Sequence, residues 1–297
     1  MVRIQALVGV KTDGIWGPNT LKAVAAALGC GASVKEVQGA VGVAKDGVAG
    51  PKTYAAVLAV LKGGAAPAKP AEPVESKPSG CPDVFLDAGH TADFEREHPC
   101  QFKGVDWTRG DAAKVASALN FDARTNDSLE HILNVAIALS FKRHAEALGL
   151  AVQYYDDPKA SNSAEIGQVY RRCNAAKPRC FLSIHNNALG AKGWDSLACT
   201  PSGSVALYCK GRSAGKSLAE SAASALRSYR KSSGGPDNRA SITATSSVAV
   251  LSKADSSIPA TLVEVGFYDN IRDLLWMAEH VDGIGEALAK AVKAHLG

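Results

Sequence analysis

No stretch of this chain is apolar over the ~20 residues that a helix needs to span a bilayer, which argues against stable membrane insertion. The first ten residues are mildly apolar, but Lys11 and Asp13 interrupt them and no A-x-A-like cleavage site follows, so no signal peptide is expected. No C-x-x-C pair and no H-E-x-x-H motif occurs. The seven cysteines (Cys30, Cys81, Cys100, Cys173, Cys180, Cys199 and Cys209) are odd in number and form no tight framework. That argues against a disulfide scaffold and predicts mostly reduced thiols, although Cys199 and Cys209 could face each other near a hairpin. No excess of one charge marks the chain as a nucleic-acid binder, since the net charge is only +4.

What is present suits a globular protein of one large domain or two, with 297 residues, 46% hydrophobic and 21% charged. The whole +4 sits in residues 1–62; the linker and the remainder are each neutral. Such a charge is either a solubilising surface or an attraction to an anionic polymer.

Residues 1–62 repeat themselves. The run Ile4 to Leu28 is echoed, without gaps, 33 residues later by Val37 to Leu61, and about half the aligned positions are identical. In each copy a short helix is expected before an Asp-Gly turn, and after it a Gly-Pro step places Pro18 or Pro51 at the first position of an Ala-rich helix. A period of this kind is one supersecondary unit used twice and packed on itself. The pattern D-G-x-x-G-P-x-T followed by x-x-A-V resembles the peptidoglycan-binding domain family, a small three-helix fold. The resemblance implies a module that holds cell-wall glycan–peptide. Trp16 is then a candidate for carbohydrate stacking, or else a packing residue; the second copy has Ala49 there.

Residues 63–80 form an Ala/Pro-rich linker that cannot build a core. Residues 81–297 alternate strand-like and helical runs. Strands are expected at Val84–Ala88, Ala151–Tyr155, Cys180–His185, Ser204–Cys209, Val248–Ser252 and Ala260–Phe267, and helices near 110–119, 130–148, 163–176, 213–230 and 282–296. This predicts an α/β fold, a mixed sheet flanked by helices, with its site at the carboxyl ends of the strands.

The last expected strand carries one carboxylate, Glu264, in an apolar run. Alternation puts Leu262, Glu264 and Gly266 on one face and Val263, Val265 and Phe267 on the other. A buried carboxylate is costly unless it meets a cation or is kept for chemistry. Two other strands end on histidines, His90 after Asp87-Ala88-Gly89 and His185 after Leu182-Ser183-Ile184, and Glu130 opens the long helix. Two histidines and a glutamate can make a three-ligand set for catalytic zinc, beside which a carboxylate can move a water's proton to a leaving amine. The spacing alone does not establish it, a lone histidine after a strand being more often a turn or core residue.

The runs D-A-G-H, E-x-x-x-N, S-I-H-N-N-A and V-E-V-G-F-Y-D-N resemble, in that order, the zinc-dependent N-acetylmuramoyl-L-alanine amidases of the amidase_3 type over residues 82–297. The resemblance implies His90, Glu130 and His185 as ligands of one Zn²⁺ ion, Glu264 as the catalytic acid/base and Asn187 either near the substrate groove or as a backbone cap. Two departures stand out. Thr91-Ala92-Asp93 follow the first histidine where the family has glycines. About forty residues precede Glu130 where it has a short loop, and they bring Glu95 and Glu97 as competing ligands. An insertion of this length is expected to wall or cover the groove. The expected protein is therefore a modular phage endolysin, monomeric. It would stay in the host cytoplasm until release, then cut peptidoglycan between N-acetylmuramic acid and L-alanine. The competing readings are a zinc peptidase or carboxypeptidase of the stem peptide, and a non-catalytic wall-binding protein.

Overall fold

A computed structural model describes residues 2–10, 16, 18–43, 45, 47, 49, 51–61, 80–90, 102, 104–119, 121, 129–155, 162–189 and 197–297. The linker through residue 79, Glu95, Glu97 and Cys100 lie outside the described residues. The chain divides into two compact units, residues 1–77 and 78–297.

In the first unit the repeat becomes four helical segments, short then long in each copy, where the resemblance implies three helices. They are α1 (Val2–Leu7), α2 (Pro18–Leu28), α3 (Val34–Ala40) and α4 (Pro51–Leu61). Pro18 and Pro51 open the long helices, where proline's missing N–H costs nothing. The two copies use the same interior. Ile4 and Val24 of the first copy and Val37 and Val57 of the second are buried in one cluster. Gln5 Nε2 donates to Thr20 Oγ1 over 3.1 Å, and the equivalent Gln38 Nε2 donates to Thr53 Oγ1 over 3.2 Å.

The second unit is a six-stranded sheet in the order β2-β1-β3-β6-β4-β5. Its strands are β1 (Val84–Ala88), β2 (Val152–Tyr155), β3 (Cys180–Asn187), β4 (Ser204–Cys209), β5 (Ala240–Thr245) and β6 (Ala260–Phe267). The first four in that order run parallel; β4 is antiparallel to β6 and parallel to β5. The helices are α5 (Gly110–Leu119), α6 (Leu129–Ala147), α7 (Asn162–Ala176), α8 (Ser213–Ser232), α9 (Ala249–Ser252) and α10 (Ile271–Leu296). Strand residues alternate between two cores. Val84, Leu86, Ala206, Val263 and Val265 pack on one side with residues of α6, α8 and α10. Phe85, Phe181, Ala260 and Leu262 pack on the other with Val169 of α7 and Val250 of α9.

Two expectations are corrected. Val248–Ser252 is not a strand: after Val248 it forms the short helix α9, because a short apolar run has no periodicity of its own to choose with. The sixth strand is instead β5, an edge strand whose Ser, Thr and Ala side chains are mostly exposed. The alternation of β6 breaks at Gly266. A bulge between His185 and Asn187 sets two steps of β3 against three of β6 and turns Gly266 to the helix layer. A Cβ at Gly266 would stand 2.7 Å from Arg230 Nη2 and 2.8 Å from Met277 Sδ. The described part of the insertion reaches the core: Phe102 packs edge-on against Trp107 and Tyr268, and Trp107 against Phe121.

Candidate metal centre and active site

The site lies at the carboxyl ends of β1, β3 and β6. Beyond β1 the chain turns sharply at Gly89, whose N–H donates to the carbonyl of Ile184 over 2.9 Å. His90 follows with φ +64°, a left-handed conformation uncommon outside glycine. Two asparagines hold this turn. Asn134 Nδ2 donates to the carbonyl of Gly89 over 2.7 Å, and Asn186 Nδ2 donates to Asn134 Oδ1 over 2.7 Å. Asn134 lies one helical turn after Glu130, so both side chains leave α6 on one face. That is the physical content of the E-x-x-x-N spacing.

The turn brings three expected residues together. Glu130 Oε1 is 3.2 Å from His90 Nε2 and 3.4 Å from His185 Nδ1, and it also accepts from the backbone N–H of Asn186 over 3.3 Å. One donor atom from each of His90, Glu130 and His185 lies within 4.8 Å of the others. A tetrahedral zinc site with ~2.0–2.1 Å bonds spaces its donors by ~3.4 Å, so this set fits one such ion. Burial pushes the Glu130 carboxyl up, but the charges and hydrogen bonds of His90 and His185 outweigh it and hold the group at about 2. Glu130 is thus an anion among imidazoles, the electronic character a cation site requires.

Glu264 sits directly beside this set. It is the register partner of His185 across the β3–β6 ladder, and its Oε2 is enclosed with no hydrogen-bond partner. Loss of water pushes its carboxyl up to about 7; His185 opposes the rise, Glu130 adds to it and His90 opposes it. A carboxyl that titrates near neutrality can both accept and return a proton.

The far end of β6 is fixed by a buried ion pair. Arg230 Nη1 donates to Asp273 Oδ1 over 2.8 Å, with both side chains fully buried. Arg230 also donates from Nη2 to the carbonyl of Val265 over 2.8 Å and from Nε to Ser204 Oγ over 2.9 Å, and its guanidinium lies 4.2 Å over the Trp276 ring. Asp273 further accepts from the N–H groups of Gly203 and Phe267. This network was not foreseen, and no local motif announces it.

Asn187 ends β3, half-buried, and its carbonyl accepts from Tyr268 N over 2.9 Å. Trp16 belongs to the first unit, where its ring lies tilted against Tyr54, centroids 5.2 Å apart, and packs against that unit's core. Cys30, Cys81, Cys173, Cys180, Cys199 and Cys209 are all free thiols, and burial lifts Cys173 and Cys180 to about 12.

No curated protein matches the chain in sequence comparison. Among solved structures it is similar to Cwp6 from Clostridium difficile, at TM-score 0.52 and 20% identity, covering 81% of this chain and 33% of that one. The chain therefore spans about a third of Cwp6. It is also similar to the N-acetylmuramoyl-L-alanine amidase AmiC2 of Nostoc punctiforme, at TM-score 0.52 and 19% identity, covering 72% of this chain and 96% of that one. These two likenesses concern the fold. The family model Amidase_3, described as N-acetylmuramoyl-L-alanine amidase, matches residues 84–294, and so the chain belongs to that family.

Proposed function

We propose that this chain hydrolyses the amide between N-acetylmuramic acid and the L-alanine of the peptidoglycan stem peptide, with His90, Glu130 and His185 holding one Zn²⁺ ion and Glu264 as acid/base. The observation that carries the reading is the register pairing of Glu264 with His185, which sets an enclosed, partnerless carboxylate oxygen beside the three-donor set. When bound, the ion supplies a Lewis acid for the scissile carbonyl and lowers the pKa of water towards ~7.

The protein's own part is proton transfer and positioning. Glu264 takes the proton of the attacking water as its oxygen bonds to the carbonyl carbon. It then gives that proton to the nitrogen of L-alanine as the C–N bond breaks, leaving a free amine and the lactyl carboxylic acid. Asn134 and Asn186 keep His90 in place through the cycle, and Asn187 lines the approach at the end of β3.

In the same reading residues 1–62 hold the wall polymer, with Trp16 as a contact of that unit, and residues 63–80 tether it to the hydrolase. A wall-binding unit joined to an amidase suits a modular endolysin, monomeric and retained in the host cytoplasm until the membrane opens. Among the described residues, no helix is long and apolar enough to cross a membrane.

The test is turnover of purified peptidoglycan with and without chelator, with mass analysis of the products. The expected products are peptides with a free L-alanine N-terminus and intact glycan strands, lost on chelation and restored by Zn²⁺. A new amine elsewhere in the peptide would favour a stem-peptide peptidase. Zinc bound without turnover would favour a wall-binding protein. For the endolysin role, cells expressing the chain should lyse only after their membrane is permeabilised.

A further inference from the structure

The row of residues that contains Glu264 does not end at the metal donors. Glu264 lies opposite Val205 across the β6–β4 ladder, and Val205 lies opposite Ser241 across the β4–β5 ladder. His185, Glu264, Val205 and Ser241 therefore form one row over four adjacent strands, and residues paired in this way share one face of a sheet. Past Glu264 the row opens into a groove of about 780 Å³. Pockets of ~300–1,000 Å³ are the size that encloses a small organic ligand.

The groove has a polarity. Val205 and Phe267 give it an apolar floor near Glu264, and Arg227, Asp237, Arg239 and Ser241 line its far part. Arg239 pairs with Asp237 through Nε at 2.7 Å and Nη2 at 2.6 Å, yet its side chain stays 77% exposed. Arg227 donates from Nη2 to the carbonyl of Ala240. A guanidinium has five N–H donors, so both arginines retain donors beyond these contacts. Two cations against one carboxylate leave that end of the groove positive. At ~4.8 Å between strands Ser241 lies ~10 Å from Glu264, and Arg239 comes two residues before Ser241.

The chemistry of the substrate says which arm belongs there. The carboxyl of the muramic acid is consumed in the amide to be cut, and the neighbouring sugars carry neutral N-acetyl groups. An anion so close to the scissile carbon therefore has to come from the peptide arm. At ~3.4 Å per extended residue, ~10 Å reaches the first three residues of that arm. We infer that this groove is the peptide-side subsite and that Arg239, with Arg227 beside it, reads a free carboxylate on the residue after L-alanine. The inference rests on the proposed amidase reaction and adds what that reaction does not specify, the charge of the peptide it prefers.

Two soluble muramoyl peptides test it, identical except that the residue after L-alanine carries a free carboxylate in one and a carboxamide in the other. The wild-type zinc enzyme should prefer the carboxylate about tenfold in kcat/KM, expressed in KM, as a charge-assisted contact gives. Arg239→Gln should treat the two peptides alike, and Arg239→Glu should prefer the carboxamide, both with unchanged thermal unfolding because the side chain is exposed. Equal cleavage of the two peptides by the wild type, or an equal loss on both in Arg239→Gln, overturns the subsite and leaves the amidase reading standing. Cleavage of neither peptide by the wild type overturns that reading, and the subsite with it.

Discussion

A Cβ on Gly89 would stand 1.9 Å from Nε2 of His185. The turn after β1 and the imidazole at the end of β3 thus fit together only because residue 89 has no side chain. The glycine is part of the candidate metal centre although it would donate no ligand.

Gly89→Ala should therefore fold and yet lose the centre. The clash moves a single imidazole, so unfolding in urea should shift little, while zinc affinity and turnover fall by at least ~10-fold, the scale on which supporting partners of metal ligands act. Zinc competition against a chromogenic chelator, beside circular dichroism, checks both halves. Wild-type affinity in this variant would show that the imidazole has room to spare.

Glu264→Gln should abolish turnover and at the same time stabilise the metal-free protein at alkaline pH. The folded value of Glu264, about 7, lies above its ordinary value of 4.5. The wild type therefore has its full stability below the ordinary value and loses it as pH rises through the folded one. Glutamine stays neutral and loses nothing. In chelator the variant should gain on the order of 3 kcal/mol over wild type at pH 8, with the gain vanishing below ~pH 4. Urea titrations at several pH values measure it, and a gain independent of pH would dissociate the carboxyl from the effect.

Asp273→Ala should be strongly destabilising, by ~3–5 kcal/mol, because it leaves the cation of Arg230 buried without its counter-charge. The double change of Arg230→Met with Asp273→Leu should cost less than the single one. Activity in Asp273→Ala should fall as well, since Arg230 ties down the carbonyl of Val265, the residue after Glu264. Denaturant midpoints for the three proteins make the comparison.

Thr20→Val and Thr53→Val should cost the first unit similar amounts, ~1–2 kcal/mol each, since each removes the same buried partner from Gln5 or Gln38. Thermal unfolding of the two full-length variants, followed at Trp16, reads the pair.

How much of this was readable in the sequence depends on how local the cause is. The apolar runs of β1, β3, β4 and β6 and the amphipathic α5 and α6 carry their own pattern, and each stands close to where it was expected. The repeat foretold which pairs of residues would be equivalent in the first unit. The four candidate site residues could be picked out because each sits inside a run with its own signature. Strand β5 could not, because an edge strand with Ser241, Thr243 and Thr245 has little apolar pattern to show. Helix α10 starts eleven residues before its expected beginning, at a cap where Asn270 Oδ1 accepts from Arg272 N and Asp273 N. Gly89, the Asn134–Asn186 bridge and the Arg230–Asp273 pair are meetings of distant segments, which spacing along one chain cannot express.

The row from His185 to Ser241 has an evolutionary consequence. In the proposed reading chemistry occupies the inner strands β3 and β6, which are covered on both faces, while the positive groove wall rests on the edge strand β5 and the loop before it. Mutations at the margin can retune which peptides are accepted without disturbing the reacting atoms. Lineages meeting walls of different chemistry would then be expected to diverge first around residues 237–241, and last around Glu264.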